Sequence, residues 1–274
     1  MSSPAFVASS RTLLATEVVG TGDPVVFLHA NVCDRRMWRT EIEAVGHVGR
    51  AITYDRRGFG GTRAEIEDHS PVADLMAVLD AVAGEVPAIL VGCSQGGKIA
   101  IDAVLQDPSR VRALVLIAPG VGGAPPPVYP SGVSDILAAQ RAAGDEGDLD
   151  RVNAIRARLW LDGPLAAEGR VAGKARQLFL DMNGIVLRAP PVGAELDQPP
   201  AFPRLDEITV PTLIIWGDLD FPHIQDRCRR MVSLLPDARG HEMAGVAHLP
   251  SLERPAETAA LVRAFVQHLS CRAR

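Results

Sequence analysis

Residues 86–105 read VPAILVGCSQGGKIAIDAVL, an apolar run broken by Gly92-Cys93-Ser94-Gln95-Gly96-Gly97 and then resumed at helical spacing. The first part, AILVG (88–92), is continuously apolar, as a strand buried on both faces requires. The second, GGKIAIDAVLQD (96–107), has the apolar periodicity of a helix. Between them Gly92-Cys93-Ser94-Gln95-Gly96 fits G-x-S-x-G. A sharp turn from strand to helix lifts the serine hydroxyl above the sheet edge, and small residues two before and two after it relieve the crowding. The free N–H groups of the new helix point to the same place. The five-residue pattern is common by chance, but its setting between a buried strand and a helix makes Ser94 a candidate nucleophile. The bland alternative is a glycine-rich helix start packed tightly on the sheet. Cys93 reads as a small buried filler that could border a pocket, not as a second nucleophile.

Working outward, strands and helices alternate. TLLATEVV (12–19) is expected to be an edge strand, PVVFL (24–28) a buried one and VGRAITY (48–54) another. HSPVADLMAVLDAV (69–82) is helical in pattern, with Ser70 as cap and Pro71 in the first turn. VRALVLIA (111–118) is a further buried strand. Such alternation indicates a mostly parallel sheet covered by helices on both faces. It stops at PGVGGAPPPVYP (119–130), where proline and glycine forbid regular structure. Residues 131–188 are mostly helical in pattern, and a second proline-rich stretch covers 189–203. VPTLIIWG (210–217) resumes the sheet, followed by a short strand at 238–243 and a helix at 253–268. The expected organisation is an α/β core in two parts, 1–119 and 206–274, with a helical insertion at 120–205.

A serine nucleophile needs a base, and the base needs an orienting acid. After the insertion, strand TLIIW ends in Gly217-Asp218-Leu219-Asp220, and Gly245-Val246-Ala247-His248 lies further on. Both fall in loops at strand ends, where open α/β sheets bind substrates. Serine, aspartate and histidine follow in the order Ser94, Asp near 220, His248.

Five segments carry a resemblance: FLHANVCDRRMW (27–38), YDRRGFGGTR (54–63), VGCSQGGKIA (91–100), WGDLDFP (216–222) and VAHLPSLERP (246–255). On these the whole chain resembles the α/β-hydrolase superfamily, in its serine-nucleophile branch with a helical cap. The resemblance implies an eight-stranded, mostly parallel sheet flanked by helices. It implies Ser94 as nucleophile, Asp220 as acid in preference to the nearer Asp218, and His248 as base. It also implies an oxyanion hole from the backbone N–H groups of Asn31 and Gln95; one such donor is worth about 3 kcal/mol in the transition state. Ala30 departs from the family's usual glycine at that loop and puts its dihedral freedom in question. Asp55, Arg57 and the glycines after them match a structural turn. His29 is expected to hold its loop, and Trp38 to anchor the first helix with a chance of touching the pocket. Phe221 follows the acid at the pocket edge. Trp160, Phe179 and Met182 in the insertion face either a substrate or the insertion's own core.

The implied function is hydrolysis of a carboxylic ester or lactone of small to medium apolar size, through an acyl-enzyme and without a cofactor or metal. A carbon–carbon bond hydrolase acting on a diketone or dienoate uses the same triad and is the alternative. A ligand-binding protein on an inactive hydrolase scaffold is the non-enzymatic one. Perhydrolase or haloperoxidase chemistry is disfavoured because those relatives generally lack a large cap.

Composition agrees with a globular protein and narrows the partners. The 274 residues are 47% hydrophobic and 22% charged, enough for a full core. The net charge of -5 disfavours nucleic acid. Cys33, Cys93, Cys228 and Cys271 form no CxxC pair, which leaves zinc and redox chemistry with little support and favours a reducing compartment. No apolar run approaches a membrane span, and MSSPAFVASSRTLL does not read as a signal peptide, so a cytoplasmic location is expected. The partner expected is a small molecule, with homo-oligomerisation left open.

Overall fold

The computed structural model describes residues 5–197 and 199–272. Its centre is an eight-stranded sheet. The strands are β1 (Ala5–Ser9), β2 (Thr12–Val19), β3 (Pro24–Leu28), β4 (Arg50–Tyr54), β5 (Ala88–Cys93), β6 (Val111–Ile117), β7 (Thr212–Gly217) and β8 (Ala238–Met243). They lie in the order β1-β2-β4-β3-β5-β6-β7-β8. β1 with β2 and β2 with β4 are antiparallel; every other pair is parallel. The expectation of TLLATEVV as the edge strand is corrected here. β1 pairs Ala5 with Thr16 and takes the edge, so β2 sits one place in. AFVAS is too short to show a period by itself, and only its pairing reveals it as a strand.

Alternation of side chains along each strand feeds two cores. Val26, Leu28 and Leu90 face one with Leu75, Ile99 and Met231. Val25, Phe27 and Val91 face the other with Ile42, Val262 and Val266. The covering helices are α1 (Arg39–Gly46), α2 (Pro71–Val82), α3 (Gln95–Gln106) and α7 (Pro222–Leu234), with α8 (Pro250–Glu253) and α9 (Pro255–Arg272) at the end. Ser70 caps α2 by accepting from the N–H of Ala73 at 2.9 Å. The single terminal helix expected at 253–268 is two. Arg254, at φ -135 and ψ 57, leaves the helical region because Pro255 follows it.

Between β6 and β7 lie α4 (Ser131–Asp145), α5 (Leu149–Ala157), a π-helical turn (Arg158–Asp162) and α6 (Gly173–Arg188). The return segment is stitched to the core: Glu67 and His69 donate their N–H groups to Val192 and Ala194, and Leu196 donates to His69. Asp197 then accepts from Val72 N–H and the Ser70 hydroxyl at the start of α2. Among the described residues, no helix is long and apolar enough to cross a membrane.

Candidate active site

Ser94 stands between β5 and α3 with φ 53 and ψ -114, a conformation that L-residues avoid. Its neighbours enforce it. A Cβ on Gly92 would sit 2.4 Å from the Gly96 carbonyl oxygen, and one on Gly96 would sit 2.1 Å from that of Leu28. The turn therefore closes only with glycine at both places. The Ser94 N–H continues the sheet by donating to Ile117 at 2.9 Å, while its carbonyl accepts from Lys98 and Gly120. The side chain is left half-buried at the head of α3.

The loop after β7 separates the two aspartates. Asp218 accepts from Gly245 N–H at 2.7 Å and ties this loop to the one after β8. Asp220 Oδ2 lies 2.8 Å from Nδ1 of His248. Its other oxygen accepts from Phe221 N–H at 2.7 Å. Asp220 and His248 are both buried. A carboxylate on Nδ1 keeps the proton there and leaves the Nε2 lone pair open. Nε2 is buried and makes no hydrogen bond, so the Ser94 hydroxyl does not meet it in this structure; such contacts often tighten only when substrate binds.

The other residues singled out in the sequence distribute as follows. Gln95 opens α3, and its side chain turns aside to donate to Glu195 at 3.1 Å. Asn31 is exposed in the turn after β3 that Cys33 N–H closes onto Ala30. Ala30 is not among the residues at positive φ, so this turn does not require glycine there. His29 accepts from Arg56 N–H through Nε2 at 3.0 Å and donates from Nδ1 to Ala30 at 2.9 Å. Burial first, and then the Arg56 charge, pushes His29 well below the ordinary imidazole range, so it is a neutral fastener. Trp38 packs on Phe27 at 5.4 Å inside the core. Phe179, Met182 and Cys93 belong to the same core. Cys93 donates its thiol to the His248 carbonyl at 3.8 Å, and burial pushes that thiol up, so it stays protonated.

Trp160 and Phe221 reach the centre. The π-helical turn places Trp160 4.6 Å from the His248 ring and 4.7 Å from Phe221. Sequence reasoning missed Arg170 and passed over Glu253, which lies in a quoted segment. Glu253 accepts from Ala247 N–H at 2.9 Å, one residue before His248, and pairs with Arg170. Arg170 also donates to Gly245, Leu161 and Asp162. One guanidinium thus joins the Trp160 turn to the His248 loop. Nothing in the local sequence marks an arginine as such a hub. A cavity of about 840 Å³ lies between the Gly58–Ala64 turn and α6, lined in part by Phe59, Arg63, Leu180 and Ile185. Ser94, Asp220 and His248 are not among its lining residues.

Comparison with known proteins bears on the family and the fold. The curated relatives include the polyketide synthase ThaQ of Burkholderia thailandensis, 30% identical over 241 residues and 84% of this chain. This chain spans 11% of that synthase's length. A 2-hydroxy-6-oxononadienedioate/2-hydroxy-6-oxononatrienedioate hydrolase of Dechloromonas aromatica is 25% identical over 263 residues, covering 91% of this chain and 89% of its own. Among solved structures, a thermophilic esterase from Thermogutta terrifontis superposes with TM-score 0.75 at 22% identity, over 97% of this chain and 98% of its own. A bromoperoxidase from Bacillus anthracis does so with TM-score 0.73 at 22% identity, over 97% of this chain and 99% of its own. A sequence profile described as "Alpha/beta hydrolase family" matches residues 25–261, and the chain belongs to the alpha/beta hydrolase family.

Proposed function

We propose that this protein is a serine hydrolase that cleaves a carboxylic ester or lactone of small to medium size through an acyl-enzyme. The observation that carries the reading is the buried Asp220–His248 pair, 2.8 Å apart, with Nε2 making no hydrogen bond, in a chain whose Ser94 sits on a strained strand-to-helix turn. In this mechanism Nε2 of His248 takes the Ser94 proton as Oγ attacks the acyl carbonyl. Asp220 holds the tautomer and stabilises the imidazolium. The N–H of Gln95, free at the first position of α3, and that of Asn31 receive the oxyanion. His248 then protonates the departing alkoxide and activates water against the acyl group. Residues 120–205 act as a cap, and its Trp160 closes the apolar side of the site over His248. The four cysteines are all unpaired, which supports a reducing compartment.

Turnover of p-nitrophenyl butyrate by pure protein, with Ser94→Ala beside it, tests the reading. The expected result is hydrolysis that falls by at least about 10³-fold in the variant. Equal turnover by both proteins would refute it. The near-full-length similarity to the Dechloromonas hydrolase favours a second reading, cleavage of a carbon–carbon bond by the same three residues. Two carbon-skeleton fragments from a dienoate or diketone, with esters untouched, would select it.

A further inference from the structure

Ring contacts lead away from the candidate site, from His248 to Trp160, on to Phe221 at 4.7 Å and then to His223 at 5.5 Å. His223 lines a cavity of about 340 Å³ in which Ser94, Asp220 and His248 have no part. Pro125, Pro126, Val128 and Phe202 make it apolar on one side. Arg227 and Arg230, from the middle of α7, line it too, together with Asp226. Arg227 is half-buried and fixed by donating its Nε to Pro119 at 3.0 Å. Arg230 lies 5.0 Å from the Phe202 ring centre. Neither guanidinium has a carboxylate partner among the described residues. The intervening Arg229 takes both nearby acids, Asp226 at 3.2 Å and Glu242 at 2.7 Å. The His223 ring makes no hydrogen bond, and its Nδ1 is buried and unpaired. The N-terminus of α7 adds partial positive charge at Pro222 and His223. Two guanidiniums without a carboxylate in an ion pair, an unpaired imidazole and the Asp226 carboxylate held by Arg229 thus share a small cavity with an apolar side.

We infer that this cavity is a second ligand site, separated from Ser94 by the aromatic partition, which binds a small organic carboxylate with an aromatic or branched apolar body. The guanidinium forks match a carboxylate in geometry and charge. The prolines, Val128 and Phe202 accept the apolar body, and about 340 Å³ suits a small molecule. Inorganic phosphate satisfies the cations but leaves the apolar side unfilled. A neutral isostere fills the apolar side and leaves both guanidiniums without an ion-pair partner. The inference does not rest on the ester-hydrolase reading, because no residue of that mechanism lines the cavity.

Isothermal titration with benzoate, inorganic phosphate and benzyl alcohol tests it, on the wild-type chain and on Ser94→Ala. The expected result is one benzoate per chain on both proteins, phosphate weaker by tenfold or more, and no measurable heat from benzyl alcohol. Arg230→Gln weakens benzoate by about tenfold, while Arg230→Lys falls between. Arg230 is exposed, so its variants keep the wild-type unfolding midpoint. Benzoate binding that ignores Arg230→Gln, or is matched by benzyl alcohol, would overturn the site. Phosphate binding as tight as benzoate would overturn the organic class. Loss of benzoate binding after covalent phosphonylation of Ser94 would place the ligand in the serine site and overturn its separateness.

Discussion

Ser94 holds a φ of 53 only because two glycines let β5 and α3 approach so closely. Gly96→Ala puts a methyl group against the Leu28 carbonyl, so it is expected to lower stability by about 3 kcal/mol or more and to abolish turnover with it. Urea unfolding and the ester assay check both effects. The aspartates give a sharper contrast. Asp220→Asn removes the charge facing His248 and is expected to cut kcat by about 10⁴-fold with the fold retained. Asp218→Asn keeps an amide oxygen for the Gly245 N–H and is expected to leave kcat within a few-fold. Measured kcat for the pair decides which aspartate serves the histidine. That Ser94, the Asp218–Asp220 loop and His248 follow strands was legible from hydrophobic pattern, whereas the preference for Asp220 over Asp218 came from the family resemblance and not from pattern. Trp160 was legible only as one of two options, since an apolar residue in an insertion looks the same from sequence whether it packs inward or onto a histidine.

α1 shows what an element can hide. Glu41 lies on its buried face, and neither carboxyl oxygen has a hydrogen-bond partner; the nearby Ser251 hydroxyl is unpaired as well. Burial raises the Glu41 carboxyl from its ordinary 4.5 to about 8. The folded chain therefore keeps a proton that the unfolded chain releases. Stability from this group is full below about pH 4.5, falls as pH rises to about 8, and is level above that. Glu41→Gln is expected to remove this share of the slope and to be more stable than wild type at pH 9. Urea midpoints at pH 6 and pH 9 for the two proteins check it; equal slopes would refute it. Periodicity found most elements because their apolar positions repeat over a full helix or a whole strand. α7 was legible in principle, with Ile224, Cys228 and Met231 four and three apart, but Arg and Asp around them lower its mean hydropathy. β1 was not, for its five residues gain meaning only from β2.

On the scale of the molecule, the helical insertion is fastened to the core near its middle and near its end. Arg170 binds the Trp160 turn to Gly245 and Glu253, and Asp197 secures the return segment to α2. Arg170→Met leaves Glu253 buried without its counter-charge. It is expected to cost about 2 kcal/mol and to lower kcat more than it raises KM, because the His248 loop loses its brace. Unfolding curves and steady-state kinetics together check this. These fastenings also predict that insertion and core unfold in one transition, so Trp160-weighted fluorescence and far-ultraviolet circular dichroism should give the same midpoint. That helices rather than strands fill the stretch between β6 and β7 was legible from its pattern and the proline-rich stretches on either side. Its fastenings were not, since they join residues as far apart as Ser70 and Asp197 through side chains with no local pattern.

The most direct measurement is reaction of the pure chain with an organophosphate carrying a p-nitrophenyl leaving group, followed by peptide mass spectrometry. Ser94 Oγ would attack phosphorus and expel p-nitrophenolate. The account predicts one p-nitrophenolate per chain, the phosphoryl group on Ser94, and loss of labelling in His248→Ala. An unlabelled Ser94, or labelling at the same rate without His248, would contradict it.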